Sequence, residues 1–265
     1  MDRFAFLSGL PRTGSTLLGT LLSQHPDVHS TRTSCMCGLI NTSINYCLGE
    51  SPFFDRKDPD SPCWGIARGV LFGAYEKNQK ELIIEKDRSW ASEIYLLNKI
   101  LGKDPKILSP VRSIPEIIAS FMIISEKIGA TSKIEDEIRL SNRESNPWTL
   151  SRIIWEKYVY PNWVNFKVGY EERPDCFFLI DYNDLVSRPQ DTMDGVFEYL
   201  GVPQIKISTE NLKNKSPEND AVYGMPGLHF IRPNLKRTSP PAKEILGEDC
   251  YDFWNEKKLD FWVRG

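Results

Sequence analysis

The sequence predicts an α/β fold of three layers, in which helices cover both faces of a mainly parallel sheet. Two observations carry this expectation. Short apolar runs recur along the 265 residues, each followed by a stretch of helical periodicity. Strands that alternate with helices pair in parallel, because every crossover returns the chain to the same end of the sheet. The first run is joined to the first helical stretch by a short loop with glycines at Gly9 and Gly14. Such a connection turns backbone N–H groups and a helix N-terminus toward an anion. Length and a hydrophobic content of 40% suit one domain over residues 1–265.

In chain order, the first strand is read as Phe4–Ser8, and Leu17–Leu22 continues as a helix. Leu82–Glu85 is a weaker strand, followed by a helical pattern over Ala91–Leu101. Lys106–Val111 is the next strand and Pro115–Ile124 its helix. Residues 126–175 read as a helical insertion. Leu150, Ile153, Ile154, Trp155 and Tyr158 suit an amphipathic helix there, which Pro161 is expected to kink or end. Cys176–Ile180 is the last strand. The helix after it, Gln190–Leu200, stops at Leu200-Gly201-Val202-Pro203. Residues 204–245, rich in Pro, Asn, Lys and Ser, read as a long irregular segment of the kind that forms a lid. The aromatic tail, Tyr251–Trp254 and Phe261-Trp262, is expected to pack back on the body.

Composition narrows the function. Net charge is −3, so no chain-wide basic field speaks for nucleic acid, although a local basic pocket stays open. No apolar run approaches about 20 residues, and no membrane span is expected. Met1-Asp2-Arg3 enters the first strand at once and leaves no room for a signal peptide, so a cytoplasmic location is expected. Cys35, Cys37, Cys47, Cys63, Cys176 and Cys250 are then read as free thiols. Cys35-x-Cys37 is not a zinc or redox spacing, and no metal site is expected.

In open parallel sheets ligands sit beyond the carboxyl ends of the strands. The chemically active side chains fall there. Arg12 follows the first strand, Lys86, Asp87 and Arg88 follow the weaker one, Arg112 follows the next, and Asp181 and Tyr182 follow the last. The loop Pro11-Arg12-Thr13-Gly14-Ser15-Thr16 has nearly the Walker A spacing, G-x-x-x-x-G-K-[ST]. Ser15 stands at the lysine, and Arg12 is the loop's cation. The loop is expected to grip an anion without the equipment for Mg-ATP. A second anion element follows. Ser113 and Glu116 fit a capping box, with Pro115 in the first turn. Ser120 lies eight residues after Arg112, so the guanidinium and the Ser120 hydroxyl could share one phosphate. The plainer alternative has Arg112 paired with a carboxylate and Ser120 facing the core. Two anion elements on one sheet imply a nucleotide with phosphates at both ends.

These residues resemble those of the sulfotransferases that use 3′-phosphoadenosine 5′-phosphosulfate (PAPS). In that family a P-R-[ST]-G-[ST]-[ST] loop holds the 5′-phosphosulfate, and an arginine with a serine eight residues later holds the 3′-phosphate. The resemblance implies a P-loop-like fold. It implies donor binding by Pro11, Arg12, Thr13, Gly14, Ser15 and Thr16, and by Arg112 and Ser120. A further family element, a strand with Tyr-x-x-Leu and a Pro-led helix, stands here as Asp181-Tyr182-Asn183-Asp184-Leu185 with Pro189. The resemblance covers roughly residues 4–240. It is nearer to the tyrosylprotein sulfotransferases and microbial relatives than to the animal cytosolic enzymes. His25-Pro26-Asp27 matches the tyrosylprotein branch, as does Lys86-Asp87, where that branch carries a catalytic lysine. Gly227-Leu228-His229 with Ile231-Arg232 is similar to a microbial branch. One departure matters. The tyrosylprotein enzymes carry a glutamate base soon after the His-Pro-Asp turn, and His29-Ser30-Thr31-Arg32-Thr33-Ser34 has no carboxylate. This leaves the base and protein-tyrosine specificity open.

The implied activity is in-line transfer of the sulfuryl group from PAPS to a hydroxyl or amine, leaving adenosine 3′,5′-bisphosphate, with no metal. Like phosphoryl transfer it passes through a loose transition state, so positioning and charge stabilisation dominate. Arg12, with the helix beginning near Gly14, and then Lys86 are the candidate catalytic cations at the leaving oxygen. His229 in the lid-like segment is the leading candidate base, because imidazole titrates near neutral pH. His29 and Asp87 are alternatives, and His25 is read as structural. Tyr182 is expected against the adenosine, and Arg232, Lys236 and Arg237 against the nucleotide from the lid. Trp64, Trp90, Phe53 and Phe54 are candidates for the acceptor pocket, with a place in the core as the alternative, and Thr33 and Ser34 stand near it. The acceptor is expected to be a small molecule, a carbohydrate or a peptide. Two other readings stay open: a P-loop nucleotide kinase or NTPase with a degenerate loop, and a non-catalytic nucleotide-binding relative.

Overall fold

The computed structural model describes residues 3–58, 60–236 and 240–263. Five strands, β1 (Phe4–Leu7), β2 (Val28–Thr33), β3 (Leu82–Lys86), β4 (Ile107–Val111) and β5 (Phe177–Asp181), form one sheet in the order β2-β3-β1-β4-β5. Every neighbouring pair is parallel. The helices of the first half are α1 (Ser15–Leu22), α2 (Met36–Glu50), α3 (Pro62–Ala74), α4 (Ile94–Leu101) and α5 (Ile114–Ile128). Those of the second half are α6 (Lys133–Leu140), α7 (Pro147–Ile154), α8 (Tyr160–Glu172), α9 (Tyr182–Ser187), α10 (Pro189–Leu200), α11 (Ala242–Leu246) and α12 (Glu248–Glu256).

Strand β1 lies at the centre of the sheet with every residue buried. Its side chains alternate between layers, as the two-residue period of a strand requires. Phe4 and Phe6 enter the core on one face, and Ala5 and Leu7 the core on the other. Leu18, Leu21 and Leu22 of α1 with Met193, Val196 and Phe197 of α10 close the second face. Ile40, Leu71, Leu97, Ile117 and Phe166, from α2, α3, α4, α5 and α8, close the first. The aromatic tail packs back as expected, with Trp254 and Trp262 buried in that same core.

The sequence reading omits strand β2 and helices α2, α3, α9, α11 and α12. Strand β2 carries no apolar run, and only Val28 and Ser30 are buried along it, because it is an edge strand. Helices α2 and α3 lie outside the expected alternation. Two expectations change in detail. The capping box at α5 does not form. Ser113 Oγ donates instead to Glu116 Oε2 at 3.1 Å, and the Ile114 N–H is met by Asp260 Oδ1 of the C-terminal tail at 3.1 Å. Pro161 does not end its helix either. A widened π-helical turn, Trp155–Val159, links α7 to α8 just before it and absorbs the missing N–H. Residues 126–175 are helical, and α8 presses on the body: a Cβ on Gly169 would lie 1.7 Å from the Ala91 carbonyl oxygen.

Candidate active site

A cavity of about 630 Å³ opens where β1, β3, β4 and β5 end. Each strand delivers a side chain to it, Arg12, Arg88, Arg112 and Tyr182 in turn. The loop after β1 turns sharply through three positive-φ residues, Gly9 (132°), Arg12 (63°) and Gly14 (94°). Gly14 caps α1 at a place where a Cβ would come within 2.7 Å of the Tyr182 ring, so conformation and space both require glycine. The first turn of α1 carries no acidic residue, leaving its positive end toward the cavity unopposed.

Pro11, Arg12, Gly14, Ser15 and Thr16 line this cavity with Arg112, Ser120, Tyr182, His229, Arg232 and Lys236. Thr13 does not: it is fully buried and its hydroxyl donates to the Leu10 carbonyl at 2.9 Å, bracing the loop from inside. Arg12 Nε donates to Ser120 Oγ at 3.2 Å, and Arg12 Nη1 donates to the Leu228 carbonyl of the lid-like segment. Ser120 thus meets Arg12 directly rather than Arg112. The Arg112 guanidinium sits 4.5 Å above the Tyr182 ring, with Nη1 3.5 Å from the Arg12 carbonyl and Nε 3.7 Å from Glu116. The two anion elements are therefore adjacent. Burial, and then the neighbouring Arg112, depress the Arg12 pKa to about 10. Arg237 lies outside the described residues.

Beside this cavity lies a buried polar chain. Lys86 Nζ donates to Glu218 Oε1 at 2.8 Å and lies 3.5 Å from Thr16 Oγ1. The same Glu218 oxygen accepts from the Thr33 hydroxyl at 3.0 Å and the Thr33 N–H at 3.2 Å. The other, Oε2, is buried without a hydrogen bond and lies 3.5 Å from His229 Nε2. His229 Nδ1 is 2.5 Å from Asp220 Oδ1, and the His229 N–H donates to Asp220 Oδ2 at 3.0 Å. Burial lowers the Lys86 pKa against the raising influence of Glu218. Burial would raise the Glu218 pKa, but Lys86 foremost among its partners holds it below the ordinary carboxylate value. Burial lowers the His229 pKa, partly offset by the bond to Asp220. At neutral pH the histidine is therefore an uncharged imidazole with its Nδ1–H turned to Asp220.

Neither alternative base lines the cavity. Asp87 accepts from the Ser89 N–H at 3.0 Å and the Cys37 N–H at 3.3 Å. His29 sits half-buried on the edge strand β2. His25 is structural, bonded to the Pro203 carbonyl and the Asp27 N–H. Trp64 and Trp90 belong to the core, Phe54 packs against it, and Phe53 is exposed, so none of the four lines the cavity. Ser34 Oγ accepts from the Met36 N–H at the start of α2. Sequence reasoning missed Glu218 and Asp220, which sit in an irregular stretch, Pro217-Glu218-Asn219-Asp220, with no periodicity to mark them. It also missed Lys127, Lys133 and Lys157, which line the cavity. Among the described residues eight cationic side chains line it, and no carboxylate does. Among the described residues no group of His, Cys, Asp and Glu could hold a metal ion, and no helix is long and apolar enough to cross a membrane.

The sulfotransferase family model matches residues 5–206. The sulfotransferase domain from the Synechococcus PCC 7002 olefin synthase superposes with a TM-score of 0.51 at 20% identity, covering 97% of this chain and 95% of its own. The sulfotransferase STF9 from Mycobacterium avium superposes with a TM-score of 0.51 at 12% identity, covering 98% of this chain and 76% of its own. No curated protein matches the chain in sequence. The two superpositions carry the fold, and the family model spans most of the chain. This protein belongs to the sulfotransferase family.

Proposed function

We propose that this sulfotransferase takes PAPS as donor and moves its sulfuryl group to a hydroxyl or amine acceptor by in-line transfer, releasing adenosine 3′,5′-bisphosphate. The observation that carries the proposal is the cation-lined cavity without a carboxylate, in a chain of net charge −3. Pro11, Gly14, Ser15 and Thr16 cradle the 5′-phosphosulfate with the α1 N-terminus, and Thr13 holds the cradle's shape from behind. Arg112 and Ser120 take the 3′-phosphate, Tyr182 flanks the adenosine, and Arg232 and Lys236 approach from the lid. Arg12, the loop's own cation, meets charge that develops on the bridging oxygen as the donor's S–O bond breaks. Lys86 assists from the Thr16 side.

His229 Nε2 accepts the acceptor's proton as the new S–O (or, for an amine, S–N) bond forms, and the donor's bond electrons leave with the phosphate. Asp220 holds the imidazole in the Nδ1–H tautomer, and the free Glu218 Oε2 stabilises the imidazolium. Ser15 at the Walker lysine and the lack of a lining carboxylate to organise magnesium weigh against a kinase. The test is incubation with labelled PAPS and pooled hydroxyl and amine acceptors, read by mass spectrometry. Transfer of label, insensitive to EDTA, is expected. A protein that is stabilised by Mg-ATP and not by adenosine 3′,5′-bisphosphate, and that transfers no label, would refute the reading.

A further inference from the structure

Three of the cavity's cations stand apart from the donor site. Ser120, Ile123, Ile124 and Lys127 all line the cavity from α5, and their spacing of three, four and seven residues places them on one helix face. Lys127 therefore lies about 10 Å along the helix axis from Ser120, with apolar side chains between. Lys133 opens α6 and Lys157 sits in the π-helical turn, and both line the same cavity. Met225 of the lid-like segment, itself buried, lines the same cavity and shares an apolar core with Ile124. The local carboxylate, Glu137, lies 3.8 Å from Lys157. Among the described residues Lys127 and Lys133 have no carboxylate within ion-pair distance.

We propose that this end of the cavity recognises the anionic group of an amphipathic acceptor. The acceptor carries a hydroxyl at one end, an apolar body lying along Ile123, Ile124 and Met225, and a carboxylate or phosphate that meets Lys127, Lys133 and Lys157. The proposal rests on the sulfotransferase reading, which puts the hydroxyl at His229. A nucleotide alone does not account for the arrangement. Its phosphates are claimed by the guanidinium cluster at Ser120 and the lid arginine and lysine, while these three lysines come from other elements beyond an apolar strip. A neutral acceptor would fill the strip and leave Lys127 and Lys133 with no anionic partner.

The test uses the full-length protein and three probes of matched length: ω-hydroxydecanoate, ω-hydroxydecyl phosphate and decanediol. Calorimetric affinities are measured with and without saturating adenosine 3′,5′-bisphosphate, together with sulfation rates. At least one anionic probe is expected to bind tenfold or more tighter than the diol, and the preferred anion tells a carboxylate acceptor from a phosphate one. Raising the salt concentration weakens the anionic probe and not the diol. The triple variant Lys127→Gln, Lys133→Gln, Lys157→Gln is expected to bring the ratio to about one. Equal affinities for all three probes in the unmodified protein, or a ratio unmoved by the triple variant, would overturn the proposal. Failure of the bisphosphate to bind, with the anion preference intact, would sink the donor assignment alone.

Discussion

The Lys86 ammonium lies 2.8 Å from the carboxylate of Glu218, 132 residues further along the chain. Both side chains are more than nine-tenths buried. The pair ties the end of β3 to the irregular segment that covers the cavity. Removing one partner of a buried ion pair leaves the other charge stranded and typically costs about 3–5 kcal/mol. Glu218→Gln is therefore expected to lower the melting temperature by roughly 6 °C or more and to cut turnover. Calorimetry on the variant checks it. An unchanged melting temperature would mean that the pair contributes nothing to the folded state.

His229 gives a pH dependence with a defined sign. Its pKa is lowered in the folded protein, by burial first, so the unfolded chain takes up a proton near pH 6.5 while the folded one resists. The group costs stability as pH falls through that unfolded value, and the cost is complete once pH is below the folded one. With His229 as the proposed base, the acid limb of the kcat profile is expected below pH 6.5. Asp220→Asn removes a raising partner and is expected to move that limb further down and slow turnover. His229→Ala is expected to lose about a hundredfold or more, the usual worth of a general base. An acid limb that stays in place in the Asp220 variant would detach the histidine from the reaction.

Arg12→Ala is expected to reduce kcat by about a hundredfold to a thousandfold, the effect of deleting one charge-stabilising donor at a developing oxyanion. Arg12→Lys is expected to restore little, because an ammonium cannot reach Ser120 and the Leu228 carbonyl together as the planar fork does. Steady-state kinetics with a thermal-shift control for folding distinguishes loss of chemistry from loss of structure.

Gly14→Ala is expected to destabilise the protein by about 1–3 kcal/mol through its left-handed backbone alone, and to push the Tyr182 ring from its place 2.7 Å from the new Cβ. Affinity for adenosine 3′,5′-bisphosphate should fall with it. Calorimetric titration reads this directly, and an unaltered affinity would mean that Tyr182 takes no part in donor binding.

What the sequence made legible follows the range of the interactions involved. Strands β1, β3 and β4 are buried along their whole length, and each opens on an apolar run that marks it. β2 pairs on one side only and writes no such run. Arg12, Arg112 and Ser120 are recognisable because each sits at a fixed offset from a strand end. Glu218 and Asp220 carry no such mark, since their partners are fixed by where a segment without periodicity lies across the sheet. Nor does the sequence mark Asp260, which meets the Ile114 N–H from 146 residues away.

That last contact has a reach of its own. Asp260 secures the opening turn of α5, and the same helix carries Ser120 at one end of its cavity face and Lys127 at the other. The stretch around Asp260 is thus a keel for the helix that forms one wall of the cavity. An alteration there would shift the wall through the first turn of α5.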